Sequence, residues 1–134
     1  MAKITEIEGI GSVNAEKLIG MGIKTVETLR EIGKTKKGRE ELAQKTGVQE
    51  KNILAWVNRA DLFRVRGIGA QYSELLELAG VDTVVELSKR VPANLHKKML
   101  EVNMDKKLVR QLPTEKQVSS WVEQAKLLPR HVEY

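Results

Sequence analysis

A Gly-Ile-Gly tripeptide occurs twice in this chain, each time just before a segment with helical periodicity. The first copy is Gly9-Ile10-Gly11 and the second is Gly67-Ile68-Gly69. Two glycines one residue apart allow a turn too tight or too left-handed for residues that carry a Cβ. The isoleucine between them is placed to point inward and fix the turn against a core. Each copy therefore predicts a tight turn whose following helix presents its first backbone N–H groups.

The similarity between the two copies extends well beyond the glycines. Residues 7–29 map onto residues 65–87, and the later pattern Trp-Val-x-x-Ala begins at both Trp56 and Trp121. The second copy is longer, and its additional residues fall between about 88 and 114. Because both ends of the unit recur, duplication explains the chain better than chance. We predict two repeats, residues 1–61 and 62–134, packed as one compact domain with an approximate internal two-fold axis.

The order of elements in each copy resembles the helix-hairpin-helix motif. Each has a glycine turn, a helix, the sequence Gly-Ile/Val-x-Thr-Val (residues 22–26 and 80–84) and a second helix. The longer pattern is similar to the C-terminal domain of the RNA polymerase α subunit and to the helix-hairpin-helix repeats of DNA repair proteins. Over its full length the chain most resembles a bacterial domain of unknown function that has two such units. The resemblance implies two tandem helix-hairpin-helix repeats with their hairpins side by side.

Apolar periodicity and capping residues predict an all-α fold, since no run alternates as a strand would. In the first repeat the helices are expected near residues 2–7, 12–20, 25–32, 37–45 and 49–61. In the second they are expected near 62–65, 70–79, 83–90, 93–103 and 114–128. Trp56 and Trp121 recur at one place in a periodic helix, which favours core packing over base stacking.

The composition gives little support for catalysis. The chain has no cysteine and only two histidines, neither in a metal-ligand spacing. No nucleophile and base lie at a spacing that would pair them. We therefore expect a non-enzymatic protein with no metal, no cofactor and no small-molecule substrate. The lack of cysteine, a signal peptide or a long apolar run further predicts a cytoplasmic protein without membrane contact.

The helix that follows each hairpin offers a partly positive N-terminus, which suits a phosphate of DNA or RNA. Arg64 and Arg66 flank the second hairpin, whereas Glu6 and Glu8 flank the first, so the second hairpin is expected to lead any binding. The candidate nucleic-acid-binding residues are Arg64, Arg66, Gly67, Ile68, Gly69 and Gln71 at the second hairpin, and Gly9, Gly11, Ser12 and Lys17 at the first.

Basic residues elsewhere leave two interpretations open. Residues 34–39, His96-Lys97-Lys98 and the group Lys106, Lys107 and Arg110 are either a track for a nucleic-acid backbone or an ordinary solvated surface. The net charge of +5 mildly favours binding to polyanions. The first hypothesis is weak, sequence-independent binding of DNA or RNA through the second hairpin. The second is a protein–protein interaction adaptor with the same fold and no nucleic-acid binding.

Overall fold

The computed structural model describes residues 2–134; Met1, at the start of the predicted first repeat, lies outside them. The described chain is all-α, as predicted, and its one β-type pairing is an isolated antiparallel bridge between Lys3 and Thr25. None of the described helices is both long and apolar enough to cross a membrane. After a 3-10 turn at Ile4–Glu6, the helices are α1 (Gly11–Gly20), α2 (Val26–Gly33), α3 (Lys36–Thr46), α4 (Glu50–Leu62), α5 (Ala70–Leu78), α6 (Val84–Ser88), α7 (Pro92–Lys106) and α8 (Glu115–Leu127).

The described chain divides into two compact units. The first unit runs to Asp61 and also includes His131–Tyr134, whereas the second comprises Leu62–Arg130. The end of the chain belongs to the first unit because Val132 is buried there and the Glu133 N–H donates to the Lys34 carbonyl at 2.7 Å. The sequence carried no signal for this return of the chain.

Three predicted helices differ from the observed elements. Residues 2–7 form only the short 3-10 turn, and residues 62–65 form no helix of their own. After α4 the chain makes two successive turns, in which Val65 N–H donates to Leu62 and Ile68 N–H donates to Val65. Helix α7 continues three residues past the predicted position 103 and ends where Lys107 takes the left-handed conformation, with φ of 53°. A lysine gives no warning of such an end, which glycine usually marks.

Helices α1 and α5, which follow the two glycine turns and are called the hairpin helices below, end in the same way. In the first unit the Ile23 N–H donates to the Leu18 carbonyl at 2.9 Å, and in the second the Val81 N–H donates to the Leu76 carbonyl at 2.8 Å. Both acceptors are buried leucines of the hairpin helix, and both donors are buried β-branched residues. These bonds satisfy carbonyls that the end of a helix leaves without an intrahelical donor.

The two tryptophans are buried, which confirms the prediction that they belong to the core. Trp56 is 5% exposed in the first unit and Trp121 is 2% exposed in the second. The ring of Tyr72 packs on Trp121 with a centroid separation of 5.2 Å. Around Trp121 the second unit collects its buried aliphatic side chains from every one of its helices: Leu62, Val65, Ile68, Leu75, Leu76, Val81, Val84, Leu87, Leu95, Met99, Val118 and Val122.

We predict that truncation of either buried tryptophan to alanine lowers the free energy of unfolding by about 3–5 kcal/mol, because a large cavity replaces the indole. Chemical denaturation of Trp56→Ala and Trp121→Ala measures the loss. Leu127→Ala is the control, since Leu127 is a large apolar residue of α8 that is 86% exposed. Losses below about 1 kcal/mol at both tryptophans would show that neither holds the core together.

Candidate nucleic-acid interface

In each unit a tryptophan packs against the first glycine of the hairpin. A Cβ built on Gly67 would lie 2.8 Å from Trp121 Nε1, and one built on Gly9 would lie 3.9 Å from Trp56 Nε1. The two glycines also share a positive φ, 99° at Gly67 and 95° at Gly9. The left-handed backbone therefore favours glycine at both positions. At Gly67 the indole also leaves too little room for any side chain.

One turn after each tryptophan, a second side chain holds the hairpin backbone. In the first unit Arg59 Nη1 donates to the Glu8 carbonyl. In the second unit Gln124 Oε1 accepts from the Arg66 N–H at 2.8 Å, and Gln124 Nε2 donates to the Arg66 carbonyl at 3.2 Å. The helix that carries the tryptophan thus fixes the residue just before the glycine turn by hydrogen bonds as well as by packing.

The central isoleucines point into the core, as the sequence predicted. Ile10 is 2% exposed and Ile68 is 5% exposed. The side chain of Ile68, a candidate binding residue, therefore faces away from any ligand, and only its backbone is available. The last glycine of the second hairpin also differs from expectation: Gly69 has φ of −126°, an extended conformation open to any residue, and a Cβ there would meet no atom within 4 Å.

The hairpin helices begin without a side-chain cap. Helices α2, α3, α6 and α8 each follow a threonine whose hydroxyl accepts a hydrogen bond from an N–H of the first turn. Helix α1 follows Ile10 and α5 follows Gly69, and neither residue provides such a bond. The first-turn N–H groups of α5 therefore have neither an intrahelical acceptor nor a side-chain cap, so they can be offered to an anion.

The second hairpin borders a pocket of about 420 Å³ at the start of α5. Its lining joins the hairpin to the segment between α7 and α8: Gly69, Ala70, Gln71, Tyr72, Arg110 and Gln111. The sequence placed Arg110 in a separate basic group, so its position beside the hairpin is a result of the fold. Arg66 is exposed at the same turn. Arg64 is half-buried and its Nη2 donates to the Pro129 carbonyl at 2.8 Å, so this guanidinium is engaged with the end of its own unit.

The first hairpin has a smaller pocket and a different set of charges. That pocket, of about 290 Å³, is lined by Glu8, Gly9, Asn14, Val48, Asn52, Ala55, Trp56 and Arg59. Lys17 Nζ donates to the Thr46 carbonyl at 3.0 Å, so this candidate residue is engaged with the last turn of α3. Ser12 and Gly11 are exposed at the start of α1, as a binding role would require. The sequence gave no indication that Arg59, which lies 51 residues after Glu8, would reach this turn.

Within the basic stretch at residues 34–39, part of the charge is used internally. Arg39 is only 4% exposed, and its Nη1 donates to the carbonyls of Gly33 at 2.8 Å and Lys34 at 3.2 Å. It is therefore not part of a surface track. Lys34 Nζ lies 2.6 Å from Glu31 Oε1. This hydrogen bond, with the charges of Lys34, His131 and Arg30, lowers the pKa of Glu31 below its usual value.

Both histidines make contacts within their own units. His96 Nε2 lies 2.9 Å from the Pro113 carbonyl, and His131 Nε2 lies 3.2 Å from Glu31 Oε2. Among the described residues, no three His, Asp or Glu side chains come together in a way that could hold a metal ion.

The fold and the site define a class of small all-helical proteins in which a tryptophan-bearing helix supports a glycine turn. The chain belongs to the family described as domain of unknown function (DUF4332), whose model matches residues 8–128. No curated protein and no solved structure matched the chain. The family assignment agrees with the resemblance to a domain of unknown function that the sequence suggested.

Gly67 and Gly69 lie in the same turn but differ in backbone conformation and in the space around them, so they give a matched pair of substitutions. Gly67→Ala should lower the free energy of unfolding by about 1–3 kcal/mol, because its Cβ meets the buried Trp121 indole at a left-handed position. Gly69→Ala should change it by less than about 0.5 kcal/mol, because that backbone is extended and the space is open. Chemical denaturation of the two variants measures both values, and equal losses would mean that the turn is formed differently.

Proposed function

We propose that this protein is a non-enzymatic module that binds the backbone of DNA or RNA weakly and without sequence specificity, with the second hairpin as the main contact. The observation that carries the proposal is the uncapped start of α5, which shares its pocket with Arg110 and its turn with the exposed Arg66. Uncapped N–H groups and nearby guanidinium groups are the donors that a phosphate accepts from.

The proposal includes the finer description of the fold as two tandem helix-hairpin-helix repeats. It is supported by contacts that recur at matching positions of the two units. In both, the tryptophan packs on the first hairpin glycine, and the residue three positions later bonds to the backbone before that glycine. Thr25 and Thr83 both cap the helix after the hairpin helix. The cytoplasmic location expected from the cysteine-free sequence belongs to the same proposal.

The chemistry of the pocket favours backbone binding over recognition of bases. Its donors are main-chain N–H groups, the Gln71 amide and the Arg110 guanidinium, which suit phosphate oxygens. The ring of Tyr72 is packed on Trp121, and its hydroxyl donates to the Gln111 carbonyl at 2.8 Å. The aromatic residue that lines the pocket is thus engaged in the fold, which disfavours stacking on bases at this site.

The adaptor function is the second candidate, and exposed apolar side chains are the observation that favours it. Met104 is 80% exposed, Leu127 is 86% exposed and Val91 is 57% exposed, all in the second unit. Large contiguous apolar patches mark protein interfaces, whereas single exposed residues are common on any surface. The nucleic-acid proposal ranks first because its donors converge on one pocket.

We predict salt-dependent binding to random-sequence duplex DNA with a slope of log Kd against log salt of roughly 2–4, since each neutralised phosphate contributes about 0.9. The dissociation constant should be no tighter than about 10⁻⁶ M at physiological salt. Fluorescence anisotropy of a labelled duplex, repeated over a series of salt concentrations, measures both. The same titration with a labelled single-stranded RNA measures whether RNA is bound as well.

The double variant Arg66→Glu with Arg110→Glu should lose most of this binding while it keeps its helical circular dichroism, because both side chains are exposed. Lys24→Glu with Lys51→Glu is the matched control, with the same change of net charge on exposed residues of the first unit. Equal losses in the two variants would show a diffuse charge effect rather than a hairpin site. If the folded wild-type protein binds no polyanion at low salt, the nucleic-acid proposal fails and the adaptor function takes its place.

A further inference from the structure

The segment between α7 and α8 is held by hydrogen bonds to three side chains of the second unit. Asn103 receives the Val109 N–H at 3.0 Å and donates to the Val109 carbonyl at 3.2 Å. Tyr72 donates to the Gln111 carbonyl at 2.8 Å. His96 Nε2 lies 2.9 Å from the Pro113 carbonyl, and since a carbonyl only accepts, this ring nitrogen donates. Every second carbonyl from 109 to 113 is thus bound to the unit.

The anchored segment has a buried side chain at each end and exposed side chains between them. Val109 and Pro113 are buried, whereas the three residues between them, Arg110, Gln111 and Leu112, are exposed. The buried side chains at positions 109 and 113 keep the two ends of this stretch against the unit, so the residues between them face solvent. Arg110 consequently stands in the pocket at the start of α5 on a backbone that is fixed immediately before and after it.

Among the described residues of the first unit, no segment of this kind lies beside the hairpin. There α3 ends at Thr46 and α4 begins at Glu50, so a short turn through Gly47 replaces the long connection between α7 and α8. The additional residues of the second copy therefore supply Arg110 and Gln111 to one hairpin only. This difference is independent of the acidic and basic residues that flank the two glycine turns.

We propose that Asn103 and Tyr72 are positioning residues for Arg110, which makes the segment 109–113 the feature that distinguishes the second hairpin as the phosphate-binding one. The inference rests on the proposed nucleic-acid function and names residues that set the strength of nucleic-acid binding. Neither Asn103 nor the Tyr72 hydroxyl carries a charge. Each acts by holding the backbone that presents the guanidinium to a phosphate bound at the start of α5.

The test measures the salt dependence of duplex DNA binding for Arg110→Ala, Asn103→Ala and Tyr72→Phe. Arg110→Ala should lower the slope by about 0.9, the value for one lost phosphate contact. Asn103→Ala should lower the slope similarly although no charge is removed, and Tyr72→Phe should do so while its ring still packs on Trp121. Asn94→Ala, an exposed asparagine of the same helix, should leave the slope unchanged.

Combining Asn103→Ala with Arg110→Ala decides whether the asparagine acts through the arginine. If it does, the double variant binds like Arg110→Ala alone, because there is no guanidinium left to position. Additive losses, or an unchanged slope in Asn103→Ala and Tyr72→Phe, would overturn the positioning role. A wild-type slope in Arg110→Ala would overturn it as well and leave the proposed function intact, whereas an absence of binding in the wild type would remove both.

Discussion

The contact between a tryptophan and the first glycine of each hairpin is the constraint on which the rest of the structure depends. At Gly67 the indole reaches the turn only because glycine has no side chain there, whereas a Cβ at Gly9 would be in ordinary van der Waals contact with the indole. At both residues the left-handed backbone is available to glycine at little cost. This contact sets where the tryptophan helix lies against the glycine turn. It also brings Arg59 or Gln124, one turn further along, within hydrogen-bonding distance of the backbone before the turn.

A turn fixed in this way can leave the start of its helix open. Elsewhere in the chain threonine caps hold the first turn of a helix, and a cap would occupy the N–H groups that an anion needs. At α5 the turn is secured from the other side, by Trp121 through packing and by Gln124 through the Arg66 backbone. Stability and an open helix start are therefore compatible at this position, which is the physical basis of the proposed site.

The basic charge of the chain is less available than its net value suggests. Several arginines donate to backbone carbonyls at turns and helix ends, where the planar guanidinium suits the acceptors that a helix C-terminus leaves unpaired. These pairs are Arg30 with Ala60, Arg39 with Gly33, Arg59 with Glu8, Arg64 with Pro129 and Arg90 with Gly80. Arg66 and Arg110 are exposed at the second hairpin, so charge there comes from a small subset of the arginines.

The sequence by itself determined the all-α fold, the two glycine turns, the inward isoleucines and the buried tryptophans. All of these follow from local periodicity, from the special backbone of glycine and from a pattern that occurs twice. It could not determine which arginine stands beside the hairpin, because Arg64 and Arg110 differ only in what the fold brings near them. The same holds for the return of residues 131–134 to the first unit and for the anchoring of segment 109–113 by Asn103 and Tyr72. These features depend on contacts between residues far apart in the chain, and only the tertiary structure decides such contacts.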